Sequence, residues 1–109
     1  MVSDVCKVID DKFGKDIVTL DITKVSIIAD YFIIATAANG IQLNAIANAT
    51  EEFLEKHGIK LNHMEGYRES KWVLLDFGVI IIHLFLQEER ELYNLERIWG
   101  DAERIGQEN

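Results

Sequence analysis

The stretch from Glu65 to Leu86, EGYRESKWVLLDFGVIIIHLFL, constrains this chain more than any other. It reads as two β-strands folded back on each other about Gly78. Glycine at the first central position of a two-residue loop suits a type II′ hairpin turn, so Gly78 and Val79 form the loop. That register sets Phe77 opposite Ile80, Leu75 opposite Ile82 and Val73 opposite Leu84. Residues two apart share a face, so this apolar set is the core face. The other face collects Trp72, Leu74, Asp76, Ile81, His83 and Phe85, large side chains with one acid and one imidazole. In this register Asp76 and His83 are diagonal cross-strand neighbours, near enough for their side chains to meet directly or through water.

The remaining chain supplies elements to pack on that hairpin. Val5, Val8, Ile9 and Phe13 recur at helical spacing from Ser3 to Phe13, with Ser3 and Asp4 as caps and Gly14 as the stop. Asp16 to Ile22 alternates as a first strand, and Tyr31 to Ala37 carries the continuous apolar run of an interior strand. Asn39 followed by Gln42 forms a capping-box pattern for a helix that turns Ile46, Ala49, Phe53 and Leu54 inward and stops at Gly58. Lys60 to Glu65 reads as a short third strand. Gln87 to Trp99 reads as a last helix with Leu92, Leu95, Ile98 and Trp99 on one side. Residues 1–100 form one α/β domain, a mixed sheet of about five strands with helices packed on it, and 101–109 form a polar tail that frays.

A chain of 109 residues buries about 65% of the surface its unfolded form exposes, enough for a core without staples. Cys6 is the single cysteine, which excludes an intrachain disulfide and suits a reducing compartment. It reads as packing material in the first helix. Asp4, Asp10 and Asp11 stand where a targeting peptide would be basic, and the longest apolar run, Val79 to Leu86, is strand-sized, so a cytoplasmic location with no membrane contact is expected. The net charge of −8 opposes a domain that neutralises many phosphates, so no direct sequence-specific nucleic-acid contact is expected. It favours a basic protein partner, although an acidic surface also serves solubility.

Three features bear on chemistry. A carboxylate orienting an imidazole, as Asp76 and His83 would, serves base catalysis or metal binding, but no third member accompanies them; Ser70 lies before the strand, outside any G-x-S-x-G elbow. His57 and His63 lack ligand spacing to another histidine. Thr36 to Gly40, TAANG, lies between a strand and a helix N-terminus, where phosphates bind in some α/β proteins, but it lacks the lysine and clustered glycines of a P-loop. No D-x-D pair for catalytic metals occurs on a strand. A non-enzymatic, cofactor-free binding protein therefore leads, with a small nucleotide- or phosphate-binding enzyme as the alternative. The binding face consists of Trp72, Leu74, Asp76, His83 and Phe85, approached by Tyr67, Arg68 and Glu69 and extended by Tyr93, since Trp, Tyr and Arg dominate protein-binding hot spots. A covered second layer of core is the competing reading of the same aromatics.

The motifs ADYFIIAT (Ala29 to Thr36), EGYRE (Glu65 to Glu69), WVLLDFG (Trp72 to Gly78), IHLF (Ile82 to Phe85) and ERELYNLE (Glu89 to Glu96) occur in the order found in the Iojap family of ribosomal silencing factors, which the chain resembles along almost its whole length. The resemblance implies a small α/β domain similar to the nucleotidyltransferase fold without its catalytic acids. It also implies a bacterial translational repressor that docks on large-subunit ribosomal protein fourteen and blocks joining of the small subunit, with Trp72 and its strand neighbours in the contact. Val79 departs from the acidic residue, and Ile41 from the polar or basic one, that the family pattern has at those positions. A homodimer through the same face is a third expectation.

Overall fold

A computed structural model of the chain describes residues 1–108. Helix α1 (Val2–Asp11) leads into strand β1 (Lys15–Asp21), followed by β2 (Tyr31–Ala37), α2 (Gly40–Lys56), β3 (His63–Glu65), β4 (Trp72–Asp76), β5 (Ile80–Leu86), α3 (Gln87–Tyr93), the single-turn α4 (Leu95–Ile98) and β6 (Glu103–Glu108). The strands form one open sheet in the order β3-β4-β5-β2-β1-β6. Among the described residues only β2 and β5 pair in parallel, so the sheet is mixed.

The hairpin register is the one the alternation predicts. Val73 faces Leu84 and Leu75 faces Ile82, and the Phe77 N–H donates to the Ile80 carbonyl across a loop whose Gly78 has φ +90°. Under this face α1 and α2 bury Val5, Ile9, Leu43, Ile46 and Leu54 against Ile33, Val73, Leu75, Ile82 and Leu84. Asn39 caps α2 by accepting the Gln42 N–H at 2.9 Å. The return arm of that pattern differs: Gln42 Oε1 accepts from Ala38, one residue before the cap, while its Nε2 donates to the Lys12 and Phe13 carbonyls and ties α2 to the end of α1.

Four expectations are corrected. Ser3 and Asp4 lie inside α1, which starts at Val2 without a side-chain cap. Phe13, not Gly14, takes the left-handed conformation after that helix (φ 67°). Gly14 is needed for space instead, because a Cβ there would come within 2.4 Å of Ile9. The last helix is broken at Asn94 (φ 44°, ψ 60°), leaving Leu92 and Ile98 exposed while Leu95 is buried. Asparagine tolerates this conformation better than most residues. Finally, the expected polar tail supplies β6, an antiparallel strand on β1 that makes the sheet six-stranded. The free N–H and C=O groups of the β1 edge provide the pairing that residues 103–108 cannot provide for themselves.

The second face of the sheet is also a core. Val18, Leu20, Ile22, Phe32, Ile34, Ile81 and Phe85 are buried there, with Leu95, Trp99 and Ala102 packed over them.

Candidate functional site

Period-two alternation along β4 and β5 brings Trp72, Leu74, Asp76, His83 and Phe85 to this second face, as the sequence leads one to expect. Tertiary packing then divides them. Phe85 and His83 are buried, whereas Trp72, Leu74 and Asp76 stay half-exposed at the side toward β3. The inner two are the support of the face and the outer three are its surface, which corrects the picture of one open patch.

Trp72 is held from three directions. Its ring stacks on Phe85 at 5.0 Å, Tyr93 of α3 lies 4.5 Å away, and its indole N–H donates to His83 Nδ1 at 3.2 Å. Together these fix the orientation of a large, half-exposed aromatic. Glu65, Gly66, Trp72 and Leu74 line a shallow hollow of about 160 Å³ beside it.

Asp76 and His83 are diagonal neighbours but do not pair, because each has a nearer partner. Asp76 accepts the Gly78 N–H at 2.8 Å and closes the turn, and His83 Nδ1 serves the indole. Accepting from Trp72 requires a neutral imidazole with its proton on Nε2, an atom that finds no hydrogen-bond partner among the described residues. Burial pushes the His83 pKa down to about 4. The ring packs edge-on to Phe32 at 4.8 Å, so it acts as a polar member of an aromatic cluster.

This depression has a consequence for acid stability. Between about pH 6.5 and 4 the unfolded chain binds a proton at His83 that the folded chain refuses, so this contribution is complete above pH 6.5 and is lost as pH falls toward 4. Stability should drop by about 2 kcal/mol from this residue between pH 7 and 5. Urea unfolding of wild type and His83→Leu at both pH values checks this. Equal pH dependence in the two would show that His83 does not titrate as described.

The loop of residues 66–71 is attached to the opposite side of the molecule. The Tyr67 hydroxyl accepts from Asn48 Nδ2 of α2 at 2.9 Å, and Ser70 Oγ accepts from Asn44 Nδ2 at 2.8 Å. Tyr67 is thus turned toward α2, while Arg68 and Glu69 remain exposed. Neither asparagine stood out in the sequence, since their partners are 19 and 26 residues away.

Arg90 was equally unmarked. It is buried, donating to Thr36 Oγ1 at 2.8 Å and to Glu96 Oε2 at 2.8 Å, and so joins α3, α4 and the central strand. Burial would raise the Glu96 pKa, but the Arg90 hydrogen bond and charge outweigh it and hold the carboxyl below its ordinary value.

At the TAANG turn the Ala38 and Gln42 N–H groups are taken up by Gln42 and Asn39, so two of the donors at this helix start are already engaged. No group of three or more His, Cys, Asp or Glu side chains suited to a metal converges among the described residues. Nor, among those residues, is any helix long and apolar enough to cross a membrane.

Comparison with known proteins agrees with this arrangement. The family model described as "Ribosomal silencing factor during starvation" matches residues 1–109. The Bacillus subtilis protein named ribosomal silencing factor RsfS is 43% identical over 93 residues, covering 85% of this chain and 79% of that protein. The chloroplastic protein Iojap of Arabidopsis thaliana is 36% identical over 102 residues, 94% of this chain and 42% of the longer plant protein. A crystal structure of a Chromobacterium violaceum protein superposes with a TM-score of 0.85 at 31% identity, covering 92% of this chain and 87% of that one. A Bacillus halodurans structure does so with a TM-score of 0.85 at 30% identity, over 96% and 95%. With a family model that matches throughout and relatives of that name up to 43% identical, this chain belongs to the ribosomal silencing factor family, regulatory proteins with a role in ribosome silencing.

Proposed function

We propose that this protein represses translation in the bacterial cytoplasm by docking on the large ribosomal subunit, through large-subunit ribosomal protein fourteen, and sterically blocking attachment of the small subunit. The observation that carries this reading is the mounting of Trp72: half-exposed, clamped by Phe85, Tyr93 and His83, and placed beside a hollow with Glu65 on its rim. A pre-oriented aromatic loses little conformational freedom on binding, which is what a hot spot requires. Leu74, Asp76 and Tyr93 complete the contact surface, with Arg68 and Glu69 at its margin. His83 and Phe85 act from beneath. The charge of −8 draws such a protein toward a basic ribosomal surface and away from bare phosphate. The same face, if paired with a second copy, would be hidden from the ribosome, so a homodimer would compete with binding.

Separated large and small subunits, mixed with the protein and resolved on a sucrose gradient, test the reading. Wild type should travel with the large subunit and hold the two apart. Trp72→Ala should bind at least fivefold more weakly, a loss of about 1 kcal/mol or more. A folded Trp72→Ala protein that binds like wild type would remove Trp72 from the contact.

A further inference from the structure

At the hairpin-loop end of the sheet, away from Trp72, lies a second surface. The loop of residues 22–30 between β1 and β2 carries Ile27 fully exposed and Ile28 at 67% exposure, with Val25 at 41%. Val79, at 55% exposure, is tied to the end of this loop, where its carbonyl accepts both the Asp30 and the Tyr31 N–H.

This loop is ordered by its own hydrogen bonds. The Ile22 N–H donates to the Asp30 carbonyl, the Val25 and Ser26 N–H groups donate to the Ile22 carbonyl, and the Ile28 N–H donates to Ser26 Oγ. Ile22 and the small Ala29 turn inward, buried in the second core. Ile27 and Ile28, two large β-branched side chains, are thereby held outward beside the buried Ala29, a placement that stability alone does not select. A group of large exposed apolar side chains on one ordered loop and the turn bound to it marks an interaction site.

Its surroundings indicate the occupant. Asp21, Asp101 and Glu103 share a hollow with Lys24 and Val25. On the other side Asp30 is exposed, and Asp76 caps the turn that holds Val79. An RNA or anionic-lipid surface would meet like charge here, and a second copy would bring the same carboxylates. A cationic protein segment with apolar side chains would not.

We propose that Val25, Ile27, Ile28 and Val79 form a second docking surface whose occupant is a basic, apolar-bearing protein segment of the large ribosomal subunit, adjoining the Trp72 contact. This rests on the ribosomal reading above. β4 spans about 13 Å from Trp72 to Asp76 at the rise of a strand, and the second surface lies beyond that end of the sheet. A standard interface of about 800 Å² per partner is roughly 30 Å across.

The test compares binding of wild type, Trp72→Ala and the double variant Ile27→Ser/Ile28→Ser to purified large subunits, with sedimentation of each free protein over a range of concentrations. Both isoleucines are exposed, so the double variant should fold normally. It should bind at least tenfold more weakly. Asp101→Asn/Glu103→Gln should slow association a few-fold at low salt, with the difference vanishing as salt is raised. If Trp72→Ala loses binding while the isoleucine variant binds like wild type, the second surface is overturned and the ribosomal reading stands. If the isoleucine variant instead changes only self-association, the occupant is a second copy and the proposal fails. If wild type does not bind the large subunit, both fall together.

Discussion

Replacing Gly66 by alanine is expected to destabilise the protein by about 3 kcal/mol and to abolish the proposed large-subunit binding while most of the chain is still folded. Gly66 sits at φ +82°, and a Cβ built on it would lie 1.9 Å from the Trp72 carbonyl oxygen and 3.0 Å from its carbonyl carbon. Both are main-chain atoms at the start of β4, so no rotamer change relieves the overlap. Either the loop or the strand must move, and Trp72 moves with it. Gly58 provides the control. Its φ of +80° is nearly the same, but nothing lies within 4 Å of its Cβ position, so Gly58→Ala should lose only about 1 kcal/mol from left-handed strain. Urea unfolding of both variants, with large-subunit binding under native conditions, separates conformational strain from collision. Equal losses in the two would mean that the close approach to Trp72 is not what selects glycine at position 66.

The second large effect is expected at Arg90. Arg90→Met keeps the apolar stem but leaves Glu96 and Thr36 without their donor, and stability should fall by about 2–3 kcal/mol. The ion pair is sheltered, with the Arg90 side chain 9% and the Glu96 side chain 18% exposed, so solvent screens it less than a surface pair. The pH dependence follows from the lowered Glu96 carboxyl. Its contribution is present above the ordinary carboxylate pKa and is lost as pH falls through the depressed folded value. The penalty of Arg90→Met should therefore hold steady from pH 8 to pH 5 and shrink only in stronger acid. Adding Glu96→Leu should recover part of the loss, because it removes the stranded carboxylate. An Arg90→Met protein with the wild-type unfolding midpoint would show that the α3–β2 contact rests on apolar packing alone.

How far the sequence could be read depended on the range of the interactions involved. The Gly78 turn, the register of β4 on β5, the buried run of β2 and the Asn39 cap are set by neighbours within a few residues, and all were legible. The candidate face was legible as a set of side chains on one side of a hairpin. Its division was not, because Phe85 and His83 are covered by contacts that only the folded chain makes: Trp72 and Tyr93 against Phe85, and Trp72 and Phe32 against His83. Leu95, Trp99 and Ala102 join the same core after a break at Asn94 that apolar spacing does not announce. Leu92 and Ile98 satisfied the helical pattern yet face solvent. Asp76 and His83 were placed where their side chains could meet, but Asp76 accepts a turn N–H and His83 an indole N–H instead.

The amino-acid sequence by itself therefore determined five of the six strands among the described residues, the Gly78 turn, the motifs of the ribosomal silencing factor family, and the side of the hairpin that carries Trp72, since alternation and turn chemistry are local. Only the tertiary structure decided that His83 and Phe85 support that face from beneath, that Tyr67 turns toward α2, that Arg90 joins α3 to the central strand, and that residues 103–108 complete the sheet. Each of these depends on a partner far along the chain, where a side chain's burial is set by what folds over it.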